Sequence, residues 1–517
     1  MRLALRAAFV SQFLLTELAW IEPSVYACGL TSERGLDIDH NGWSNRKAVS
    51  SPVPLLHEDR LFPADPDTRS IARRLYSSIH PLPIVSPHGH TQAGWFAHNL
   101  PFPNPAGLFV QPDHYVYRML YSQGVSLEDL EIGSQEIGDP RKVWRIFASH
   151  YALFRGTPTR MWLDYAFQEL FGIDVRLSTA TADLYYDTMA EKLQTPEFLP
   201  RSLYKRFNIE VLSTTDSPLD SLADHLAIRD SGWHARILPT FRPDPVVDPE
   251  FDTFRENIAR LGAITGEDTG RYAGYLLALR NARARFKLLG CTATDHGHPT
   301  AQTANLAPDE AAGLYDVVLS GRAGLEQQEL FRAQMLTEMA GMSVDDGLTM
   351  QIHPGSLRNH NRQVYERYGR DRGADIPMAT DYVHALRPLL DRYGTERNLT
   401  VILFTLDESA YTRELAPLAG HYPCLRLGPP WWFQDSPEGM MRFREYVTET
   451  AGFYNTVGFN DDTRAFLSIP ARHDVARRID SAFLARLVVE HRLDEDEAYE
   501  VARDLTYNLV RRAYKLG

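Results

Sequence analysis

Two histidines, His88 and His90, are separated by one residue and follow the apolar run Pro83-Ile84-Val85. Side chains on a β-strand alternate between its two faces, so residues two apart point to the same side. Two imidazoles on one strand face contribute little to packing, whereas together they could bind one metal ion. The pair therefore predicts a metal site, provided that this strand ends at a cavity.

Polar groups also follow the other segments that have the character of strands. They are Ser213-Thr214-Thr215-Asp216, Phe241-Arg242-Pro243-Asp244, Asp295-His296-Gly297-His298, His353-Pro354-Gly355, Leu406-Asp407-Glu408, Trp431-Trp432-Phe433 and Asp461-Asp462-Thr463-Arg464. Aspartate and glycine after a strand commonly form turns or cap helices, and we expect that role for Asp216, Asp244 and Asp407. The remaining side chains are the residue types that a catalytic site requires.

The elements that must position these residues alternate along the chain. Candidate strands are Ile84–His88, Ile209–Thr214, Arg236–Thr240, Gly290–Thr294, Thr349–His353, Thr400–Phe404, Cys424–Gly428 and Thr456–Asn460. Segments with helical apolar spacing separate most of them, which favours a (β/α)8 TIM-like barrel over an open doubly wound sheet. In such a barrel the residues after each strand meet at one end, where catalytic groups gather.

The predicted barrel spans residues 56–517. Residues 113–208 are too many for a loop and have helical apolar spacing, so we expect a helical insertion after the first strand. Residues 1–55 differ in composition and lack a sustained period. We expect a disordered or mis-started N-terminal extension there, with an export signal in residues 1–28 as the less favoured interpretation.

Charge and cysteine content exclude several classes of protein. The formal net charge of −13 argues against nucleic acid or an anionic membrane as a partner. The three cysteines are far apart and odd in number, which indicates a reducing compartment and no disulfide framework. Beyond the N-terminal region, no segment has the roughly 18 uninterrupted apolar residues of a membrane span.

A paired His88 and His90 after the first strand, with Asp462 after the eighth, resembles the metal scaffold of the amidohydrolase superfamily. The resemblance implies a barrel of the metal-dependent hydrolase type with one divalent ion held by these three residues. Neutral imidazole and carboxylate ligands favour Zn²⁺, with Mn²⁺ or a similar ion as an alternative. Most enzymes of this architecture are hydrolases, in which the metal generates a hydroxide nucleophile.

A more specific resemblance rests on seven motifs that occur in the order seen in uronate isomerases. They are Asp113-His114-Tyr115-x-x-Arg118, Thr214-Thr215-Asp216-x-Pro218, Arg242-Pro243-Asp244, Asp295-His296, His353-x-Gly355-x-x-Arg358-Asn359, Trp431-Trp432-Phe433 and Asp462-x-Arg464-x-Phe466. The resemblance extends from about residue 56 to near the C-terminus. It implies interconversion of D-glucuronate with D-fructuronate, and of D-galacturonate with D-tagaturonate.

That reaction removes a proton from C2, passes through an enediol and returns a proton to C1. It needs a base, a group that stabilises the developing oxyanion and contacts for the sugar acid. The resemblance implies that Arg464 supplies positive charge, and that Tyr115, His114 and Asp462 are candidates for proton transfer. Tyr115 would need a lowered pKa to act as a base.

The remaining motif residues match substrate-binding positions of the family. By this resemblance, Arg242, His296, His353, Arg358 and Trp431 contact the hexuronate. Arg242 could hold its carboxylate bidentately. His353 is either a further metal ligand or a substrate contact.

Structural roles compete with several of these assignments. Tyr115 and Arg118 could stabilise the first helix of the insertion, one of the two tryptophans could serve packing, and Arg464 could pair with Asp461. Two other functions also compete with the isomerase: a metal-dependent hydrolase of a sugar-acid lactone, amide or ester, and a sugar-acid-binding protein without turnover. The resemblance implies a cytoplasmic location and leaves a homo-oligomer open.

Overall fold

The computed structural model describes residues 54–133 and 138–517. The predicted N-terminal extension of residues 1–55 therefore lies outside the described residues, apart from Pro54 and Leu55. The Leu56 amide donates to the Gln168 side chain at 3.1 Å. The described chain thus begins in contact with the helical region that follows the first strand.

In the part of the chain that the structure describes, nine strands form two sheets. They are β1 (Ile84–Ser86), β2 (Ile209–Asp216), β3 (Arg236–Phe241), β4 (Ala293–His296), β5 (Thr349–Ile352), β6 (Ser356–Leu357), β7 (Ile376–Pro377), β8 (Val401–Leu403) and β9 (Leu425–Leu427). Seven of them form a curled parallel sheet in the order β1-β2-β3-β4-β5-β8-β9. The short strands β6 and β7 pair antiparallel on their own. The first seven predicted strands are confirmed, with one change of position.

That change concerns the fourth predicted strand, Gly290–Thr294, which begins at Ala293 instead. The amide of Cys291 donates to the Phe286 carbonyl and that of Gly290 to Lys287, so the end of the preceding helix uses these residues. Gly290 has a φ of +87°, a left-handed conformation that glycine adopts without steric cost. The expectation that Gly290 begins the strand was wrong, because the glycine ends a helix.

The eighth predicted strand, Thr456–Asn460, is reduced to a single parallel bridge between Thr456 and Leu427. The amide of Val457 donates to the Leu427 carbonyl at 3.0 Å, which places this segment against the β9 edge. Farther along, the His90 amide donates to the Thr463 carbonyl at 2.9 Å. Residues 455–463 thus contact both β9 and the chain that leaves β1.

Helices surround the sheet. Those before β2 are α1 (Pro66–Ile79), α2 (Ala93–His98), α3 (Pro105–Phe109), α4 (His114–Ser122), α5 (Pro140–Ser149), α6 (Pro158–Tyr165), α7 (Ala182–Leu193) and α8 (Pro200–Arg206). Those between β2 and β6 are α9 (Ala223–Asp230), α10 (Asp244–Val247), α11 (Phe254–Thr265), α12 (Tyr272–Lys287), α13 (Pro308–Leu319) and α14 (Leu325–Asp346). The later helices are α15 (Arg362–Tyr368), α16 (Arg387–Tyr393), α17 (Ala416–Ala419), α18 (Pro437–Ala451), α19 (Ile469–Val489), α20 (Glu495–Arg503) and α21 (Leu509–Ala513). Single 3₁₀ or π turns connect them at Tyr151–Phe154, Ala166–Leu170, Thr179–Thr181, Pro196–Phe198, Tyr411–Leu415, Trp432–Gln434, Phe466–Ser468 and Asp504–Asn508.

Between β1 and β2 the described chain forms helices joined by turns and loops, and it has its own aromatic core. Trp144 and Phe147 of α5 are fully buried, and they pack with Phe167 and Tyr185. The Trp144 indole donates to the Ala182 carbonyl at 2.9 Å, which satisfies its polar group inside this core. This region presents α4 to the open end of the sheet.

The two faces of the sheet belong to different cores, as the alternation of side chains on a strand requires. Met350 and Val401 pack outward with the surrounding helices. Val211 and Ile402 face the interior, where Tyr514 packs against them and donates to Gln351 at 2.8 Å. The C-terminal residues therefore fill the end of the sheet opposite the polar groups. Among the described residues, no helix combines the length and apolar character needed to cross a membrane.

Candidate active site

A cavity of about 460 Å³ lies where the strands end, and most of the predicted site residues line it. The wall includes residues after β1, β2, β3, β5 and β9, together with the segment 462–465 and the start of α4. Of the predicted site residues, the lining contains His88, His90, His114, Tyr115, Arg242, His353, Arg358, Trp431, Asp462 and Arg464. The curled parallel sheet thus brings together residues that lie up to 376 positions apart, from His88 to Arg464.

Three of these residues form a group that could hold a metal ion. The ligand atoms of His88, His353 and Asp462 all lie within 4.8 Å of one another. The rings of His88 and His353 are stacked with their centroids 4.7 Å apart. His90, the second member of the predicted pair, places Nε2 3.1 Å from Asp462 Oδ1 and lies beside this group.

The unpaired atoms of this group fit a cation. Asp462 Oδ1 is buried and makes no hydrogen bond within the described chain, although the Nε2 atoms of His88 and His90 approach it to 3.3 and 3.1 Å. His353 Nε2 is also buried without a hydrogen-bond partner among the described residues. Buried polar atoms left unpaired are costly unless a ligand satisfies them. Imidazole nitrogens facing a carboxylate oxygen are the donor set of a Zn²⁺ or Mn²⁺ site.

The orientation of His353 is set by Asp295. His353 Nδ1 lies 2.7 Å from Asp295 Oδ1, and both side chains are buried. Although burial alone would raise the pKa of Asp295, the charges of Arg242 and the nearby histidines hold it well below its usual range. An ionised carboxylate can only accept, so the proton of His353 lies on Nδ1 and Nε2 keeps its lone pair. This arrangement prepares His353 as a metal ligand.

Arg242 is already engaged by two carboxylates. Its Nε donates to Asp244 at 2.8 Å, and its Nη1 lies 2.9 Å from Asp295 Oδ2. Protein carboxylates therefore bind the guanidinium group of Arg242 that was expected to hold a substrate carboxylate bidentately. Arg242 still lines the cavity, where it joins the polar groups that follow β3 and β4.

Of the three aspartates expected to serve turns and caps, only Asp407 fits that description. Its Oδ1 accepts hydrogen bonds from the Ser409 amide and hydroxyl, which is a local turn. Asp244 instead accepts from Arg242 and from the Gly297 amide, and it lines the cavity. Asp216 also lines the cavity and accepts from Thr214 Oγ1 at 2.6 Å. Sequence reasoning missed both, because a turn aspartate and a cavity aspartate look alike without their distant neighbours.

Burial raises the pKa of Asp216 to about 7, with the charge of Asp220 adding to the effect. Between about pH 4 and 7, the Asp216 carboxyl is therefore protonated in the folded protein, whereas in the unfolded chain it has lost its proton. Consequently Asp216 favours the folded state at low pH, and this contribution is lost as the pH rises through 7.

We expect Asp216→Asn to remove this dependence. The difference in free energy of unfolding, variant minus unmodified protein, should be larger at pH 8 than at pH 4 by more than about 1 kcal/mol. One pKa unit corresponds to about 1.4 kcal/mol. Urea unfolding at both pH values measures the difference. Asp230→Asn, at an exposed carboxylate paired with Arg229, is the control and should show no such gain. A parallel pH dependence in the Asp216 variant and the unmodified protein would contradict the expectation.

The start of α4 contributes His114 and Tyr115. The Asp113 carboxylate accepts from the Tyr115 amide at 2.8 Å and caps the helix. Burial raises the pKa of Tyr115 well above its usual value, with Arg472 only partly opposing it. A phenol with a raised pKa keeps its proton at neutral pH and can donate a hydrogen bond, whereas action as a base would require a lowered pKa. Burial and the charge of Arg464 lower the pKa of His114, which is therefore neutral.

Arg464 forms an ion pair that the sequence did not indicate. Its Nη2 lies 2.5 Å from Asp371 Oδ2. The alternative partner, Asp461, is fully buried and instead accepts from His473 Nε2 at 3.0 Å. The proposed pairing of Arg464 with Asp461 was therefore wrong, because the Asp461 side chain points into the protein interior.

Arg358 and Trp431 occupy the same wall. Arg358 Nη1 lies 2.8 Å from Asp375 Oδ2, and its guanidinium is 5.3 Å from the Trp432 ring centroid. Trp431 packs edge-on against His353, with ring centroids 4.8 Å apart. Both tryptophans line the cavity and are almost fully buried, so each has a packing role as well.

His296 differs from the other predicted site residues because it does not line the cavity. It is fully buried in β4, and its Nε2 lies 3.0 Å from Thr294 Oγ1. Burial, reinforced by His298, lowers the pKa of His296 to about 3, so the ring is neutral. In this structure His296 lies among interior groups instead of on the cavity wall.

Further charged residues on the wall were not singled out from the sequence. Asp371 and Asp375 belong to residues 356–377, here called the roof segment, which contains β6, α15 and β7. Arg472 of α19 also lines the cavity, where it pairs with Asp435 and places its guanidinium 3.6 Å from the Trp162 ring centroid. Little in the sequence indicates that these residues belong to the site, since charged residues in a loop or helix usually face solvent. They differ from ordinary surface charges only because the fold brings them to one cavity.

Comparison with known proteins supports one family. The glucuronate isomerase family model matches residues 65–514. A uronate isomerase of Rhizorhabdus wittichii is 66% identical over 465 residues, which cover 90% of this chain and 99% of that protein. The crystal structure of glucuronate isomerase from Caulobacter crescentus is 58% identical, with a TM-score of 0.89 over 90% of this chain and 98% of that one.

A more distant structure agrees. The uronate isomerase of Thermotoga maritima is 28% identical, with a TM-score of 0.83 over 89% of this chain and 99% of that one. The family match thus covers the curled sheet and the residues on the cavity wall. This chain belongs to the glucuronate isomerase family.

Proposed function

We propose that this chain interconverts D-glucuronate with D-fructuronate, and D-galacturonate with D-tagaturonate, in the cavity at the open end of its sheet. The observation that carries the proposal is one cavity lined by a histidine–aspartate group, an arginine and a phenol. These are the groups that an aldose–ketose isomerisation of an acidic sugar requires. The location that goes with this catabolic reaction is the cytoplasm.

We propose further that the sheet belongs to a complete (β/α)8 barrel with residues 113–208 as a helical insertion. Seven parallel strands in chain order support this, together with the contacts of residues 455–463 on both open edges. The eighth strand would then be Thr456–Asn460, pairing too irregularly to form a ladder.

One divalent ion, with Zn²⁺ or Mn²⁺ as the candidates, fits the group of His88, His90, Asp462 and His353. When bound there, it would act as a Lewis acid toward an oxygen of the sugar. The protein residues have properties that do not depend on the ion. His353 is oriented by Asp295, and the buried Asp462 carboxylate is ionised because His88 and His90 outweigh the effect of burial on its pKa.

Each remaining group of the site has a role in the proposed proton transfer. Asp462 takes the proton from C2 of the open-chain aldose, and the electrons of that C–H bond form the C1–C2 double bond of the enediol. Arg464 stabilises the negative charge that develops on the sugar oxygens. As the double bond forms, the carbonyl electron pair of C1 moves to O1, which takes up a proton. Return of a proton to C1, with loss of the O2 proton as C2 becomes the carbonyl carbon, then completes the ketose. Tyr115, which keeps its proton, donates a hydrogen bond to a sugar oxygen, and His114 lies beside it with a ring-centroid distance of 4.8 Å.

Substrate recognition rests on other residues of the cavity wall. Since Arg242 is held by Asp244 and Asp295, we assign the main hexuronate contacts to Arg358 and Trp431, with Arg242 contributing its charge. His296 would act by supporting this wall from within. A homo-oligomer stays a prediction.

The direct test is incubation of the purified protein with D-glucuronate and with D-galacturonate, each with added Zn²⁺ or Mn²⁺. We expect ketose to form from at least one of them, as followed by a ketose-specific colour reaction or by NMR. A glucuronolactone is the parallel substrate for the hydrolase alternative. Ketose from neither sugar, with release of acid from the lactone, would overturn the isomerase in favour of the hydrolase. Binding of hexuronate without either reaction would favour a binding protein.

A further inference from the structure

The roof segment, residues 356–377, lies between the groups that follow β1 and those that follow β3. On one side, a Cβ added at Gly373 would come 3.0 Å from the Tyr117 ring and 3.5 Å from His114 Cβ, so this segment packs directly on α4. On the other side, Arg370 donates to the Glu250 carbonyl at 2.6 Å. The segment thus covers part of the cavity and touches the helix that carries His114 and Tyr115.

Asp371 is the point at which the roof segment meets Arg464. Its carboxylate lies 2.5 Å from Arg464 Nη2, and both side chains line the cavity. Burial would raise the pKa of Asp371, but the charge of Arg464 outweighs it and lowers the pKa below its usual value. The pair is therefore ionised on both sides at neutral pH.

The backbone around Asp371 is held in an uncommon conformation. Asp371 has a φ of +64°, in the left-handed region, and it lies between Gly369 and Gly373, whose φ values are +82° and +71°. The side chain of Asn359, itself at a φ of +55°, accepts a hydrogen bond from the Asp371 amide at 3.3 Å. Left-handed conformations at residues other than glycine persist where surrounding contacts impose them. These contacts aim the Asp371 carboxylate at Arg464.

An arginine that must stabilise charge in a transition state benefits from such an anchor. The Arg464 side chain is 35% exposed and long, so without a partner it would sample many rotamers. The guanidinium is planar, so holding Nη2 limits the directions in which its other N–H groups can point. Donors that are positioned before the reaction avoid reorganisation when charge develops.

We propose that Asp371 is a positioning residue for the isomerisation, acting by orienting Arg464 toward the sugar oxygens. The inference rests on the proposed isomerase function and adds to it a residue outside the motif of Asp462 and Arg464. A simpler role, in which Asp371 only holds the roof segment in place, predicts a different pattern of kinetic effects. In that case the loss should appear in KM or in thermal stability, with kcat little changed.

A double-mutant cycle separates the two roles. Asp371→Asn, Arg464→Gln and the double variant are compared with the unmodified, metal-loaded enzyme on the preferred hexuronate. We expect Asp371→Asn to lower kcat about 10- to 100-fold with KM changed less than about threefold, since a misaligned transition-state donor affects kcat. In the Arg464→Gln background, Asp371→Asn should cause less than about a threefold further loss, because residues that act as a unit are not additive.

Asp375→Asn is the matched control, since Asp375 lies in the same roof segment and pairs with Arg358 instead. Its effect should be the same with Arg464 present or replaced. Asp371→Glu keeps the charge and should lose less kcat than Asp371→Asn, which also provides a test should the asparagine variant fold poorly. Thermal unfolding of each variant reports on folding.

The outcomes are distinguishable. Full kcat in Asp371→Asn, an equal loss in both Arg464 backgrounds, or a loss confined to KM would each overturn the positioning role while leaving the isomerase intact. Absence of ketose with the unmodified enzyme would instead overturn the proposed function itself. A large kcat loss that disappears in the Arg464→Gln background, with partial recovery in Asp371→Glu, would support the inference.

Discussion

Replacing Asp462 with asparagine is expected to lower kcat for hexuronate isomerisation by about 10³-fold, because a positioned base contributes about 10² to 10⁴ in rate. The substitution preserves the size of the side chain and removes its charge. Its carboxylate is the one that both His88 and His90 approach, at 3.3 and 3.1 Å, and it lines the cavity beside Arg464. The initial rate of ketose formation measures the effect.

The metal and the base must be separated in this test, since Asp462 is assigned to both. His88→Ala is the comparator, because His88 belongs to the same metal group and has no assigned part in proton transfer. We expect both variants to bind less Zn²⁺ or Mn²⁺ after dialysis, as measured by elemental analysis. At concentrations of added metal that restore equal occupancy, Asp462→Asn should remain far slower than His88→Ala.

Two results would contradict these assignments. Equal activity of the two variants at equal metal occupancy would remove the base role from Asp462. Full activity and full metal content in His88→Ala would refute the metal site built on the first strand. Either result would leave the family membership of the chain unchanged, because that rests on similarity along residues 65–514.

Replacing Arg464 with glutamine is expected to lower kcat by about 10²- to 10³-fold, the usual effect of removing one donor to a developing oxyanion. The change leaves a polar side chain but no charge, and KM should change little, since the interaction is strongest in the transition state. Arg464→Lys should recover part of the rate, because the charge returns without the planar fork. Steady-state kinetics with the preferred hexuronate provide both constants.

Arg358→Gln is the matched control from the same cavity. Its guanidinium lies by Asp375 and the Trp432 ring, and we assign it to substrate binding. Its removal should raise KM with a smaller change in kcat, the opposite pattern to Arg464→Gln. If Arg464→Gln raised KM alone, Arg464 would be a binding residue instead of a stabiliser of the transition state.

Local sequence predicted correctly most of those structural features that depend only on residues close together in the chain. The alternation of apolar segments predicted seven strands close to their observed positions, and the spacing of His88 and His90 predicted that both would face one cavity. It failed at Gly290, where a helix end and a strand start have the same apolar neighbours and only hydrogen bonding distinguishes them. The ordered motifs indicated the family that the similarity to known proteins then confirmed.

The partners of the charged residues could not be predicted in this way. Arg464 pairs with Asp371, 93 positions earlier, and Arg242 is held by Asp295, 53 positions later. The sequence allows His353 to be either a metal ligand or a substrate contact. In the structure its Nδ1 is bonded to Asp295 and its Nε2 has no hydrogen-bond partner among the described residues, which favours the ligand role. Ion pairs and pKa values depend on distances of a few ångströms, which sequence separation does not encode.

Residue types and their spacing along the chain were thus enough to predict the family and the chemical groups of the site: paired histidines, an aspartate, arginines and a phenol at the ends of alternating strands. Which of these groups act together depended on the folded structure. It committed Arg242 to protein carboxylates, kept the proton on Tyr115 by burial, placed His296 in the interior and brought Asp371 to Arg464. The reason is physical, since residue type and period are local properties, whereas burial and charge pairing arise only when distant segments fold against one another.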